Sequence, residues 1–181
     1  MMIRRIFILL AVLLLAIVGA VTFELLQPRA LPTHFPAGAS TCYGRLYDSG
    51  YLGAHPHHLL AALYLFEKPS GRGQRLNLTL AARFRDDATI YREVVECDKD
   101  IGSALCFRDC DIALFRIRVA GWRSLSIDPQ GQLSFIRLNA SCGSGQGPVR
   151  RIDFKTGGAD LRLDLLSDEE CRPARDPRTR D

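Results

Sequence analysis

Leu76-Asn77-Leu78-Thr79-Leu80-Ala81-Ala82-Arg83-Phe84 is the stretch whose reading decides the fold. Leu76, Leu78, Leu80, Ala82 and Phe84 alternate with Asn77, Thr79, Ala81 and Arg83. A repeat of two puts one set on each face of an extended chain, so this is a strand with one dry face and one wet face. The same rhythm recurs on the C-terminal side. Phe115, Ile117 and Val119 alternate with Arg116 and Arg118, and Leu161, Leu163 and Leu165 alternate with Arg162 and Asp164. Thr89–Glu96 is rich in β-branched residues and comes after a turn at Asp86-Asp87. Thr41–Tyr47 and Arg150–Phe154 are shorter strand candidates. Leu59–Glu67 is almost continuously apolar, which suits a strand buried on both faces or a short helix. The loop Pro69-Ser70-Gly71-Arg72-Gly73 joins it hairpin-fashion to Leu76, and so points to a strand. Around Asp128-Pro129-Gln130-Gly131, proline at the second turn position and glycine at the fourth predict a hairpin over Arg123–Leu138.

Eight to ten short strands with short connections and no amphipathic helix make an all-β domain. Sequential hairpins imply an antiparallel meander that closes into a barrel or a strongly curved sheet, with a β-sandwich as the alternative.

The N-terminus sets the compartment. Arg4 and Arg5 precede an apolar run of 18 residues, Ile6 to Phe23. A signal-peptide core spans about 7–15 residues and a membrane-spanning helix about 17–25. Residues 1–23 are therefore a signal peptide, with Val18-Gly19-Ala20 as a small-residue cleavage site, or an uncleaved anchor forming one hydrophobic helix. The basic pair holds the N-terminus in the cytoplasm, so either outcome exports the downstream chain to a membrane-anchored, periplasmic or secreted place. Residues 24–40, with Pro28, Pro32 and Pro36, read as a linker. Residues 41–171 form the domain, and residues 172–181, charged and carrying Pro173 and Pro177, read as a disordered tail. Setting aside Arg4 and Arg5 lowers the formal charge from +4 to +2, which excludes the strongly basic surface that nucleic acid requires.

Export makes the six cysteines, Cys42, Cys97, Cys106, Cys110, Cys142 and Cys171, bridge formers before anything else. Six cysteines allow 15 pairings. Position along the strands suggests Cys42 with Cys171, clamping the two ends of the domain. Cys97 and Cys106 then pair across a short loop, and Cys110 is left with Cys142. Metal or redox use of Cys97, Cys106 and Cys110 lacks the paired spacing or downstream histidines that such sites employ.

Among other candidates, His55-Pro56-His57-His58 is the sharpest, since three imidazoles in four residues could share zinc, copper or nickel. Metal sites usually draw ligands from separate elements, and the bland reading is a polar loop before a strand. Arginines 83, 85, 116, 118 and 137 recur at strand spacing, as a basic sheet face or simply a solvated wall. Glu93 with Glu96, Asp109 with Asp111, and Asp168-Glu169-Glu170 are the carboxylate groups available for acid–base work, none beside a histidine. Ser141-Cys142-Gly143-Ser144-Gly145 lacks the lysine and helix of a phosphate loop, and no motif implies a cofactor.

Cys42-Tyr43-Gly44-Arg45-Leu46-Tyr47-Asp48, continuing to Leu52 and Ala54-His55-Pro56, together with Cys106-x3-Cys110-Asp111, resembles small exported bacterial proteins of uncharacterised function. The resemblance implies compartment and disulfides and no activity. The expectation is a non-enzymatic exported β domain that binds a partner protein, an envelope component or a small apolar ligand. It would touch the membrane through residues 6–23 if the leader stays. The alternatives are a metal-binding protein using His55, His57 and His58, and an envelope hydrolase whose site forms only in the fold.

Overall fold

The computed structural model describes residues 31–36, 39–67, 75–100, 102–107, 115–129, 135–138, 150–153 and 161–176. Ten strands occur among them: β1 (Cys42–Leu46), β2 (Leu60–Glu67), β3 (Leu76–Phe84), β4 (Asp87–Lys99), β5 (Ser103–Phe107), β6 (Phe115–Gly121), β7 (Ser124–Pro129), β8 (Phe135–Leu138), β9 (Arg150–Asp153) and β10 (Leu161–Leu165). Two short helices, α1 (Ser49–Ala54) and α2 (Asp168–Arg175), complete the set with a 3-10 turn at Leu31–Thr33. Eight strands form a closed antiparallel barrel in the order β1-β10-β7-β6-β5-β4-β3-β2, and β8 and β9 form a separate two-stranded sheet.

The period of two sorts the wall. On β3, Leu76, Leu78, Leu80, Ala82 and Phe84 point inward and meet the inward set of β4, with Leu76 opposite Cys97 and Leu78 opposite Val95. Ile117, Leu125, Ile127, Leu161 and Leu163 continue the layer around β6, β7 and β10. An eight-stranded barrel encloses about the volume its own side chains fill. Here Leu63, Leu65, Leu78, Leu80, Val95, Phe115, Ile117, Leu125 and Leu163 occupy it fully buried. Each contributes roughly 1.5–3 kcal/mol by leaving water.

The apolar continuity of β2 has a physical cause. Leu63 and Leu65 face the interior, while Ala62, Tyr64 and Phe66 face outward and are covered by α2 through Cys171 and Ala174. Ser167 caps α2, accepting from the Glu170 amide while the Glu170 carboxylate accepts from the Ser167 amide at 2.8 Å. Arg92 on β4 grips its far end, donating to the carbonyls of Pro173, Ala174 and Asp176. A disulfide joins Cys42 at the start of β1 to Cys171 on α2, with Cα atoms 6.4 Å apart. A second, Cys97–Cys106, bridges directly opposed residues of β4 and β5. Two such bridges fit an oxidising compartment.

Several expectations change. The hairpin over Arg123–Leu138 is not formed: β7 pairs with β6 and β10, and β8 pairs with β9. The turn chemistry at Asp128–Gly131 is local, whereas Leu161 and Leu163 of β10 lie opposite Ile127 and Leu125 and so close the barrel. The disordered tail does not begin at Arg172, because α2 runs through Arg175 and buries Ala174. Within the stretch read as a linker, Leu31, His34 and Phe35 are buried against the barrel. Two helices stand where none was expected. Residues 1–23, read as a signal peptide or anchor, and Cys110, Cys142, Asp109, Asp111 and the Ser141–Gly145 loop lie outside the described residues. Among the described residues no helix is long and apolar enough to cross a membrane.

Candidate functional site

Strand direction gives the barrel two ends. One collects the start of β1, the ends of β2, β4 and β6, and the β6–β7 turn. The other collects the end of β1, helix α1, the start of β2 and the β3–β4 turn. This second end is the rim, and it carries the most chemistry.

Tyr47 comes directly after β1 and is held by its amide, which donates to the Ala61 carbonyl at 3.1 Å. Asp48 caps α1, its Oδ1 accepting from the Tyr51 amide at 2.7 Å. The cap starts a single turn that puts Tyr51 and His55 four residues apart on one face, so their rings stack at 4.2 Å between centroids. The His55–His58 turn is closed by the His58 amide donating to the His55 carbonyl at 3.0 Å. It swings the His58 ring inward, 4.2 Å from the Tyr47 ring and edge-on to Tyr51 at 5.4 Å. Arg85, in the β3–β4 turn, donates to the Leu52 carbonyl at 3.0 Å and anchors the segment from below.

Electrostatics distinguish the three histidines. Nδ1 of His55 lies 2.9 Å from the Tyr51 carbonyl. A carbonyl only accepts, so Nδ1 is the donor in this contact. His58 is buried, and burial, with the nearby charges of His55 and Arg45, pushes its pKa below the usual value. Tyr47 is buried too, and burial raises its phenol while Arg45, 5.4 Å over the ring, opposes the rise. Tyr47 Oη and His58 Nε2 are both buried without a hydrogen-bond partner among the described residues. Each such atom costs about 1–3 kcal/mol.

His57 sits exposed at the tip of the turn. The three histidines therefore do not surround one point, and among the described residues no group of three or more His, Cys, Asp or Glu is placed to hold a metal. The reason is the Pro56-His57 turn, which sends His57 to solvent and His58 to the core.

Beside this rim lies a second polar group that sequence reasoning missed. Tyr91 donates to Asp87 Oδ2 at 2.6 Å, and the Thr89 amide donates to Asp87 Oδ1 at 2.8 Å. These bonds, led by that of Tyr91, hold the Asp87 carboxyl down at about 2. Arg150 of β9 reaches Asp86 at 3.0 Å and lies 5.1 Å over the Phe84 ring and 5.8 Å over that of Tyr91. The group fastens the β8–β9 sheet to the barrel.

The acid–base candidates come apart. Glu93 turns inward opposite Leu80, whereas Glu96 faces out and pairs with Arg75 at 2.8 Å. Glu170 is consumed by the helix cap, and Asp168 pairs with Arg175. The outer arginines are dispersed: Arg116 bonds the Ser103 hydroxyl and Arg118 pairs with Asp128 at 3.1 Å. The Tyr51–His55 pair was readable from its spacing of four. The inward turn of His58 was not, because it depends on the barrel. Comparison with family models, curated proteins and solved structures finds no match for the chain.

Proposed function

We propose that the protein is an exported, non-enzymatic barrel domain that works by binding, and that the rim of Tyr47, Tyr51, His55 and His58 receives a partner or envelope component bearing hydrogen-bonding groups. The observation that carries this reading is the pair of buried, unpartnered polar atoms, Tyr47 Oη and His58 Nε2, in one ring cluster. A hydroxyl donor and an imidazole nitrogen left unmatched in the free protein are matched when an incoming group supplies the complement. Helix α1 is a single short element with no fully buried residue, and Tyr51 and Leu52 alone pack partly against the core, so few contacts hold it over this cluster. The filled interior argues against a small apolar ligand in the lumen, and the separated carboxylates argue against a hydrolase. The two bridges and the apolar leader support export.

Native mass spectrometry of the whole chain, recovered gently from the envelope, tests the reading. The expected result is a bound non-metal species that is lost in the Tyr47→Phe, His58→Phe double variant. A bound zinc or copper ion, or an adduct unchanged by the double variant, contradicts it. The metal ion would restore the histidine-site alternative.

A further inference from the structure

The end opposite the rim faces the start of the chain. Leu31, His34 and Phe35 are packed on Tyr43 near the start of β1, with His34 Nδ1 2.8 Å from the Tyr43 hydroxyl and the Phe35 and Tyr43 rings 5.5 Å apart. Only residues 24–30 separate this docked segment from the apolar run ending at Phe23. Seven residues reach at most about 25 Å when fully extended. An anchored leader therefore keeps this end of the barrel close to the bilayer.

At the same end, the β6–β7 turn consists of Trp122 and Arg123 between Gly121 and Ser124. Trp122 is 63% exposed, the most of any large apolar side chain among the described residues. Arg123 is exposed beside it, near enough to Tyr43 for its charge to oppose the effect of burial on that phenol. The guanidinium of Arg162 crosses the base of the turn, 3.7 Å from where a Cβ on Gly121 would stand, and its Nε lies 3.6 Å from the Asp164 carboxylate, which offsets part of its charge. An amphipathic indole flanked by cations suits the level of lipid headgroups, where tryptophan is enriched and arginine meets anionic lipid.

We infer that the β6–β7 turn, through Trp122, Arg123 and Arg162, rests on the anionic lipid surface from which the chain emerges. The barrel then stands on that end and presents the rim away from the membrane. The orientation rests on the leader being retained; the affinity of the turn for lipid does not.

Trp122 is the sole tryptophan, so its fluorescence reports on this turn alone. The full chain is reconstituted into vesicles of phosphatidylcholine and phosphatidylglycerol, with and without brominated acyl chains. The expected result is a blue-shifted emission that brominated lipid quenches, more strongly as the phosphatidylglycerol fraction rises. Emission at the water-exposed wavelength without quenching, in chains whose leader is inserted, overturns the inference. A mature protein whose mass begins after Ala20 removes the anchor and is mixed with the same vesicles. Quenching that rises with anionic lipid and falls in Arg123→Glu still supports the surface, and its absence overturns it. Burial of Trp122 against a protein partner gives a blue shift that brominated lipid does not quench, which also overturns it.

Discussion

Tyr47 and His58 show how one residue's surroundings decide what its chemistry is for. An exposed phenol or imidazole is satisfied by water, whereas these two are buried with a polar atom each unmatched among the described residues. Replacing such a group by an apolar isostere removes the penalty without leaving a new orphan. Tyr47→Phe is expected to leave the urea midpoint unchanged or raise stability by up to about 1–3 kcal/mol. A loss of more than about 1 kcal/mol would show that the hydroxyl is already satisfied and would remove the ground for the rim. Gly44 on β1 behaves oppositely. A Cβ there would lie 2.8 Å from the Leu63 carbonyl and also press on Leu166. Backbone cannot yield as a side-chain tip can, so Gly44→Ala is expected to cost roughly 1–3 kcal/mol in the same measurement. His58 adds a pH effect. Its folded pKa lies below the unfolded value, so the unfolded chain takes up the proton first. Stability is full above about pH 6.5 and declines as pH falls below it, a decline that His58→Phe should remove.

Among the elements, the attachment of the β8–β9 sheet and of α2 to the barrel governs what can loosen independently. Asp87 has a folded pKa of about 2, below the usual carboxylate value, so protonation favours the unfolded chain. Its contribution is fully present above about pH 4 and is lost as pH falls toward 2. Thermal melts over that interval should flatten in Asp87→Asn, and an unchanged slope would contradict the Tyr91–Asp87 bond. Helix α2 depends on Cys42–Cys171, which closes a separation of 129 residues. Cys42→Ala with Cys171→Ala is expected to cost about 2–5 kcal/mol, with amide exchange rising first in α2. At this scale the strands were legible from alternation. Leu161–Leu165 has the expected wet face, whereas on Leu76–Phe84 the face read as wet is mostly dry, since Thr79 and Ala81 are buried and Ala81 packs in the cluster under α2. Leu60–Glu67 was ambiguous because α2 dries its outer face, and α2 itself escaped notice because Pro173 and its charges imitate a tail. The Asp128–Gly131 signal misled because turn residues record local geometry, whereas β7 chooses partners through Leu125 and Ile127 across the closed wall. Tyr51 and His55 could have been paired from spacing, but nothing in the local sequence tells that His58 points inward.

As a whole, the molecule is a barrel with a mainly apolar interior, whose outer wall is charged over β6, β7 and β10 and apolar over β2 and β3, where α2 covers it. Arg116, Arg118, Arg162, Asp164 and Glu96 face out, and leucine and isoleucine fill the centre. That is the reverse of a membrane-spanning barrel, whose outer belt is apolar. A closed wall has no free edge for strand addition. Strand edges remain at the β8–β9 sheet, and the binding proposed above falls to the ends of the barrel, which differ: one bears the docked N-terminal segment and Trp122, the other the aromatic rim. Placing a photoreactive amino acid at Leu59, 59% exposed beside the rim, in the full chain in living cells tests this division most directly. A rim that binds gives one discrete crosslinked species, absent when the photoreactive group is moved to the wall at Arg83 and lost in the Tyr47→Phe, His58→Phe background. Equal crosslinking from the wall, or a species that persists in that background, would contradict it.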